Sequence, residues 1–310
     1  MSDKLNRLKE IIGEVSDLGR ASSVLGWDQQ VNMPPMGAEA RGQQLATLGK
    51  IAQEKFTSDE MGKLLEDLQK EYQDAETDDG AMIRVTARNY DKAKRVPSSF
   101  VAEQAVAASK AFEAWVEAKK KSDFKIFLPF LEKNVELVKK YVSFFPPADH
   151  PYDVLLDDYE PGMKTSEVQE IFGNLRPKQV ELIKAISEAK QVKDKFLHKK
   201  YNEEKLWKFS EKIISKFGYD FNRGRQDKAP HPFETTFSVN DVRITNRYET
   251  ENPMATLFSA MHECGHALYE LGVNPAYERT SLESGTSLAI HESQSRMWEN
   301  MVGRSLPFWE

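Results

Sequence analysis

Hydrophobic residues in the first two thirds of the chain recur every three or four positions, which is the spacing of one buried face of an α-helix. The clearest such segment is Ser98–Lys121, which has no internal proline or glycine. Its apolar positions at this spacing are Val101, Ala105, Ala108, Phe112 and Trp115. Residues 130–141 and 167–190 show a similar rhythm. The pattern therefore predicts a succession of helices from residue 1 to about residue 220.

Proline and glycine residues mark where these helices are expected to stop, because proline lacks a backbone N–H and glycine favours turns. Breaks are predicted at residues 33–35, 145–147 and 160–162, with a new helix from Thr165. We also expect the 167–190 helix to be interrupted at Gly173 and Pro177. The lysines of residues 190–216 alternate with glutamates and apolar residues, so this stretch is interpreted as the solvated face of an amphipathic helix.

The hydrophobic pattern changes after Gly224, where β-branched and aromatic residues become frequent. In residues 233–248, Val242, Ile244 and, less strictly, Tyr248 alternate with polar side chains, which is typical of a half-buried strand. Asn240 and the residue after it form a plausible turn between two short strands. The sequence therefore predicts a mainly α protein with one small β-hairpin or sheet near its C-terminal part.

Composition narrows the possible classes of protein. The chain has 310 residues, with 43 basic and 49 acidic side chains and a formal net charge of −6. This mild acidity argues against nucleic acid as the main partner, since phosphate binding favours clustered positive charge. No apolar run approaches the ~18 residues of a membrane span, and the N-terminus lacks the apolar core of a signal peptide. The single cysteine, Cys264, suits a reducing compartment, so we expect a soluble, cytoplasmic protein with no membrane partner.

The chemistry-bearing residues concentrate near the end of the chain, around His262, Glu263 and His266. A helix is predicted there, with Asn252 as its N-cap, a proline at its first position and Gly272 at its end. Two histidines four residues apart lie one turn apart on such a helix, about 5–6 Å between Cβ atoms. That spacing allows both imidazoles to bind one zinc ion.

Glu263 follows the first histidine and is placed to act as general base on a metal-bound water. Cys264 falls on another side of the helix and is not expected to bind the metal. The motif has few fixed positions, however, so unrelated proteins can contain it by chance. The alternative interpretation is that the two histidines cap a helix or form hydrogen bonds within the core. A third ligand would favour the metal.

Candidate third ligands are the downstream glutamates Glu270, Glu278, Glu283, Glu292 and Glu299. Glu292 is preferred, because it lies in a second predicted helix, capped by Ser287 or Thr286, that can face the first helix across a metal. Two histidines, one carboxylate and a water form the pattern of a catalytic zinc site. The alternative for Glu292 is a surface ion pair with Arg296. His291, next to Glu292, is interpreted as a group that supports the ligands or faces the substrate.

Several ordered motifs in the chain resemble the carboxypeptidase Taq family of zinc metallocarboxypeptidases. They are His231-Pro-Phe, Asp241-x-Arg243-x-Thr245, His262-Glu263-x-x-His266 and His291-Glu292-Ser-Gln. Further similarity is found near the N-terminus, around Trp27 and Asp28, and in residues 151–163. The resemblance therefore covers essentially the whole chain.

The resemblance implies a helical zinc-peptidase fold with a deep groove, a homodimer, and release of C-terminal amino acids from peptides. It implies that His262, His266 and Glu292 hold the metal and that Glu263 activates the water. Arg243 and His231 would lie near the groove as substrate-binding residues, with His291. An equally supported alternative is that Arg243 only anchors Asp241 or a neighbouring helix, and Trp27 and Asp28 are interpreted as packing and capping residues.

Family motifs that would follow Glu292, including an arginine suited to a substrate carboxylate, do not occur before Glu310. We therefore expect one C-terminally incomplete catalytic domain over residues 1–310, with 1–222 forming the helical groove wall and 223–310 the hairpin and zinc-binding helices. The predicted activity is a zinc-dependent metallocarboxypeptidase, with Co or Mn as alternative metals. The alternatives are an endo-acting helical zinc oligopeptidase and a non-catalytic helical fragment of such an enzyme.

Overall fold

Helices form most of the protein, whose computed structural model describes residues 3–310. The α-helices, in chain order, are α1 Asp3–Val31, α2 Ala38–Phe56, α3 Asp59–Glu71, α4 Asp78–Ala93, α5 Ser98–Lys121, α6 Phe124–Val142, α7 Tyr152–Tyr159, α8 Thr165–Glu188, α9 Glu203–Phe217, α10 Pro253–Leu271, α11 Leu288–Arg296 and α12 Leu306–Trp309. The strands are β1 Gln226–Lys228, β2 Glu234–Ser238 and β3 Asp241–Asn246. The mainly α class with a small sheet is confirmed. Within residues 3–310, no helix has the length and apolar character needed to cross a membrane.

The N-terminal helices form a core through apolar residues at helical spacing. On α1, Leu5, Leu8 and Ile12 are fully or almost fully buried, and they pack with Met61 and Leu68 of α3. Helix α5 has the predicted bounds, and it lies against α2 and α6. The predicted breaks at residues 33–35, 145–147 and 160–162 also occur between helices. These helices form the scaffold on which the C-terminal part of the chain rests.

The predicted interruption of the 167–190 helix is wrong, because α8 continues from Thr165 to Glu188 with Pro177 inside it. A proline ring clashes with the carbonyl group four residues earlier, which here belongs to Gly173. Glycine has no Cβ and lets the backbone adjust at that point, so the two expected breakers occupy compatible positions. Helix α6 likewise begins before the predicted segment and includes Pro129.

The lysine-rich stretch 190–216 is helical only in its second half, so the prediction of one amphipathic helix was too long. Residues 190–202 form turns and irregular backbone, and Asn202 caps α9 by accepting a hydrogen bond from the Lys205 amide. Helix α9 buries Leu206, Ser210 and Ile214 and leaves most of its charged side chains exposed. Its amphipathic character is therefore as expected.

The predicted hairpin is present, and a third strand joins it. Strands β2 and β3 pair antiparallel, and β1 pairs parallel with β3, which gives the strand order β1-β3-β2. Val242 and Ile244 are fully buried, as the alternation predicts, but Thr245 is also fully buried. The Thr245 hydroxyl bonds with the Phe233 backbone, which satisfies its polar group.

The sheet and α9 pack against the back of α10 and fix its orientation. Ile214, Val242, Ile244, Ala260 and Cys264 belong to one buried cluster. Cys264 therefore points into the core on the side of α10 that faces the sheet, in agreement with the expectation that it does not bind a metal. The opposite side of α10 is left for its two histidines.

Asp157 connects its own helix, α7, with α4 and with the turn after α7, and we expect these contacts to be sensitive to acid. Its carboxylate accepts hydrogen bonds from Arg88 at 2.8 Å, Lys92 at 2.6 Å and the Gly162 amide at 2.8 Å. Burial raises the pKa of Asp157, but the bonds from Lys92, Gly162 and Arg88 outweigh it and lower that pKa to about 2. The contact therefore stabilises the fold above about pH 4 and is lost as the pH falls toward 2.

We expect Asp157→Asn to lower the free energy of unfolding at pH 7 by about 1 kcal/mol, since solvent reaches about a third of the side chain and screens the ion pairs. The difference between the wild-type and variant melting temperatures should shrink as the pH is lowered from about 4 to about 2. Melting curves of both proteins over this range test it. A difference that does not change with pH would contradict the assignment.

Candidate metal centre and active site

Helix α10 presents two histidines on one side, and its ends are defined as predicted. Asn252 accepts a hydrogen bond from the Ala255 amide, Pro253 occupies the first position, and Gly272 follows the last helical residue. The rings of His262 and His266 have centroids 5.0 Å apart. The side chains of both histidines are partly exposed, at 19 % and 14 %, so they line a surface that a ligand can reach.

Helix α11 brings Glu292 to the same point. Ser287 caps this helix by accepting from the Ile290 amide, and Glu292 follows within the second turn. One carboxylate oxygen, Oε2, lies 3.2 Å from Nε2 of His266 and 3.7 Å from Nε2 of His262. The three donor atoms all lie within 4.8 Å of one another. Two imidazoles and one carboxylate are the ligand types of a catalytic zinc site, so these residues fit a divalent metal.

The alternative interpretation of Glu292 as an ion-pair partner is also correct, because its two oxygens have different partners. Oε1 accepts from Nε of Arg296 at 2.8 Å, while Oε2 faces the histidines. Burial raises the pKa of Glu292, but the bond from Arg296 and the nearby His262 lower it overall. Arg296 thus holds the carboxylate ionised and oriented toward α10.

Glu263 lies beside this group and is only 7 % exposed. Burial, with the negative charges of Glu234, Glu292 and Glu299, raises its pKa to about 8. A carboxylate in such a position is typical of a proton-transferring group.

The remaining nitrogens of the two imidazoles also have partners. Nδ1 of His262 lies 3.0 Å from Glu299, and Nδ1 of His266 lies 2.6 Å from Nδ1 of His291. Nε2 of His291 in turn lies 2.9 Å from Glu270. Burial, with the neighbouring His291 and His262, lowers the pKa of His266 to about 4. His266 is therefore neutral near pH 7, which is the form that binds metals.

A cleft of about 550 Å³ opens next to His262 and Glu263, and His231 is among its lining residues. The cleft also contains the cations Arg247 and Arg304. The ring of His231 lies 6.4 Å from that of Trp115 on α5, between centroids. The structure thus brings one of the three predicted substrate residues, His231, into the same cleft as the histidine motif.

Arg243 makes the contacts expected of an anchor. Its guanidinium binds both oxygens of Asp241 at 2.8 Å and lies over the ring of Trp27, 4.5 Å from the ring centroid. A substrate role for Arg243 stays a prediction. Trp27 packs as expected, and Asp28 binds Arg41 at 2.6 Å.

The profile of the family described as carboxypeptidase Taq (M32) metallopeptidase matches residues 7–310. The chain belongs to this family. The Taq family is a family of metallopeptidases, so a divalent metal is the ligand that the His262, His266 and Glu292 group fits.

Individual Taq family proteins are similar over nearly the whole chain. Carboxypeptidase 1 of Bacillus subtilis (strain 168) is 34 % identical over 301 residues, covering 97 % of this chain and 60 % of that protein. Thermostable carboxypeptidase 1 of Pyrococcus furiosus is 39 % identical over 296 residues, covering 94 % and 59 %. A solved structure described as "BsuCP Crystal Structure" superposes with a TM-score of 0.97 at 33 % identity, covering 99 % of this chain and 62 % of that one. The chain thus spans about 60 % of the length of the curated relatives it matches.

Two residues near the Taq family motifs, Glu270 and Glu299, were predicted only as candidate third ligands, and the sequence indicated no other role for them. Residues 297–302 form a π-helical turn directly after α11, and such turns are frequent at functional sites. Glu270 lies four residues, or one helical turn, after His266. That spacing was the only feature of the sequence to indicate that the two side chains lie close together.

Proposed function

We propose that this chain is the metal-binding part of a zinc-dependent metallocarboxypeptidase that releases C-terminal amino acids from peptides. The observation that supports this proposal is the convergence of two imidazole nitrogens and one carboxylate oxygen within 4.8 Å, with Glu263 next to them. The family match and the names of the relatives, which are carboxypeptidases, agree with it.

In this proposal, His262, His266 and Glu292 hold the metal. A divalent ion bound there would polarise the scissile carbonyl group and lower the pKa of water from 15.7 to about 7. Glu263 would accept the proton of the attacking water and pass it to the leaving amine. Its burial keeps competing solvent away from this proton transfer. His231 would contact the peptide, since it lines the cleft that reaches Glu263.

Three further properties belong to the proposal. Zinc is proposed as the metal because nitrogen and carboxylate ligands in this number suit it. A cytoplasmic location agrees with the single buried cysteine, and a homodimer agrees with the family resemblance. Residues 1–222 and 223–310 are proposed to act as one domain, since the rings of Trp27 on α1 and Phe237 on β2 lie 6.5 Å apart.

A pair of peptides that differ only at the C-terminus tests the substrate class. We expect zinc-loaded protein to release the last amino acid of the free-acid peptide and to cleave its C-terminally amidated twin about tenfold more slowly, because a contact between the terminal carboxylate and an arginine of the cleft, Arg247 or Arg304, would be worth about 1.4 kcal/mol. Product masses are measured by mass spectrometry. Equal cleavage of both peptides would favour an endopeptidase, and cleavage of neither would contradict the proposed activity.

A further inference from the structure

Each of the two proposed ligand histidines has one ring nitrogen turned toward Glu292 and the other turned toward a partner. The nitrogens that face Glu292 are both Nε2. The nitrogens that face away are both Nδ1, and each has a contact of 3.0 Å or less. A neutral imidazole carries one proton, so the partner of Nδ1 decides whether Nε2 is free to bind a metal.

The partner of His262 is a carboxylate, which has no proton to donate when ionised. Glu299 Oε2 lies 3.0 Å from Nδ1 of His262, and this carboxylate also accepts from Arg296 at 3.1 Å and from Arg304 at 2.9 Å. An ionised Glu299 requires the proton of His262 to be on Nδ1, which leaves the Nε2 lone pair free.

The partner of His266 is a second histidine, His291. The nitrogen on which His291 carries its proton follows from the contact of His291 with Glu270. Nε2 of His291 lies 2.9 Å from Glu270, which also accepts from the Ser284 hydroxyl at 2.9 Å and is only 3 % exposed. A neutral His291 that donates from Nε2 to this carboxylate has a free lone pair on Nδ1. That lone pair accepts the Nδ1 proton of His266 over 2.6 Å, so Nε2 of His266 is free as well.

We propose that Glu299, and Glu270 acting through His291, are positioning residues that hold both ligand histidines with the proton on Nδ1 and Nε2 free for the metal. This inference rests on the proposed metal site but assigns residues outside its ligand set. A hydrogen-bonded partner on the second nitrogen fixes both the tautomer and the orientation of a ligand histidine.

The fold explains how the two carboxylates reach these positions. Glu270 lies one turn after His266 on α10, on its buried side, and the connection from α10 to α11 supplies Ser284. Glu299 lies in the π-helical turn of residues 297–302, and two arginines that bind Glu299, Arg296 and Arg304, lie on either side of it in sequence. The two supports are therefore independent, and each can be removed without altering the other.

The tautomers can be measured without any metal. In metal-free protein labelled with ¹⁵N-histidine, we expect the two-bond and three-bond ring correlations at pH 8 to show His262 and His266 protonated on Nδ1 and His291 protonated on Nε2. Assignment uses single His→Gln variants of these residues. Nε2–H tautomers for His262 or His266 would overturn the inference.

Metal affinity provides the second measurement. Zinc affinity, determined by competition with a chromophoric chelator, should fall by about 10–100-fold in Glu299→Ala and in Glu270→Ala. Glu299→Gln and Glu270→Gln keep an acceptor oxygen and should recover part of the loss. The matched control is Glu283→Gln, which alters a carboxylate of the same connection that binds Ser16 and the Arg279 amide, and it should leave affinity unchanged.

The failure of this inference can be told apart from failure of the proposed function. Wild-type protein that binds far less than one zinc per chain would contradict the metal site itself. Wild-type binding near one zinc per chain, with equal affinity in the two alanine variants, would overturn only the positioning role. Melting temperatures of the metal-free variants show whether each remains folded, so that an affinity loss in a folded variant is specific support.

Discussion

Peptide hydrolysis should fall by about 10²–10⁴-fold when Glu263 is replaced with glutamine, while zinc affinity stays within about threefold of wild type. Glu263 lies next to the proposed ligands, is assigned neither as a ligand nor as a support of the ligand histidines, and is 7 % exposed. Glutamine fills the same space but cannot accept a proton from water. The loss should therefore appear in kcat, with the metal still bound.

The comparison that makes this result specific is with a ligand variant. His262→Ala should lose both zinc and activity, whereas Glu263→Gln should lose activity alone. Initial rates on a free-acid peptide and zinc content after dialysis are measured for both proteins and for the control Glu283→Gln. Wild-type rates in zinc-loaded Glu263→Gln would exclude Glu263 as the base.

The sequence was sufficient for the parts of the site whose signals are local. The N-cap Asn252 and the proline after it mark the start of α10, and the glycine after its last residue marks its end. Ser287 marks the start of α11 in the same way. Glu292 could be chosen because caps and loop length together predict two helices that face each other. These signals depend on residues that are close in sequence, so they predict the helix boundaries without knowledge of the tertiary contacts.

Other features depend on contacts that no short segment encodes. Strand β1 has three residues, all polar, and is ordered by its pairing with β3 rather than by its own pattern. Glu299, which contacts His262, lies in a π-helical turn, where the period differs from that of an α-helix. In each case, tertiary packing or an altered helical period overrides the local preference.

Gly265 lies between the two histidines of α10, at a place where α11 packs closely against α10 beside the proposed metal site. A Cβ atom at this position would lie 2.6 Å from Cα of Ser295 and 2.8 Å from the carbonyl oxygen of Gln294. Both are backbone atoms of α11, so they cannot move aside without moving the helix. Glu292 is on the same short helix and would be displaced with it, away from Nε2 of His266.

We therefore expect Gly265→Ala to lower the free energy of unfolding by about 1–3 kcal/mol, through overpacking, and to lower zinc affinity by about tenfold or more, since ligands must be held within about 0.5 Å. Both quantities are measured, by denaturant unfolding of metal-free protein and by chelator competition.

The matched control is Gly19→Ala on α1, an exposed helical glycine whose added Cβ would have no neighbour within 4 Å. That variant should be about 0.5–1 kcal/mol more stable, with unchanged zinc affinity. Wild-type zinc affinity in Gly265→Ala would mean that the spacing of α10 and α11 does not position Glu292, and the geometric basis of the proposed site would then be wrong.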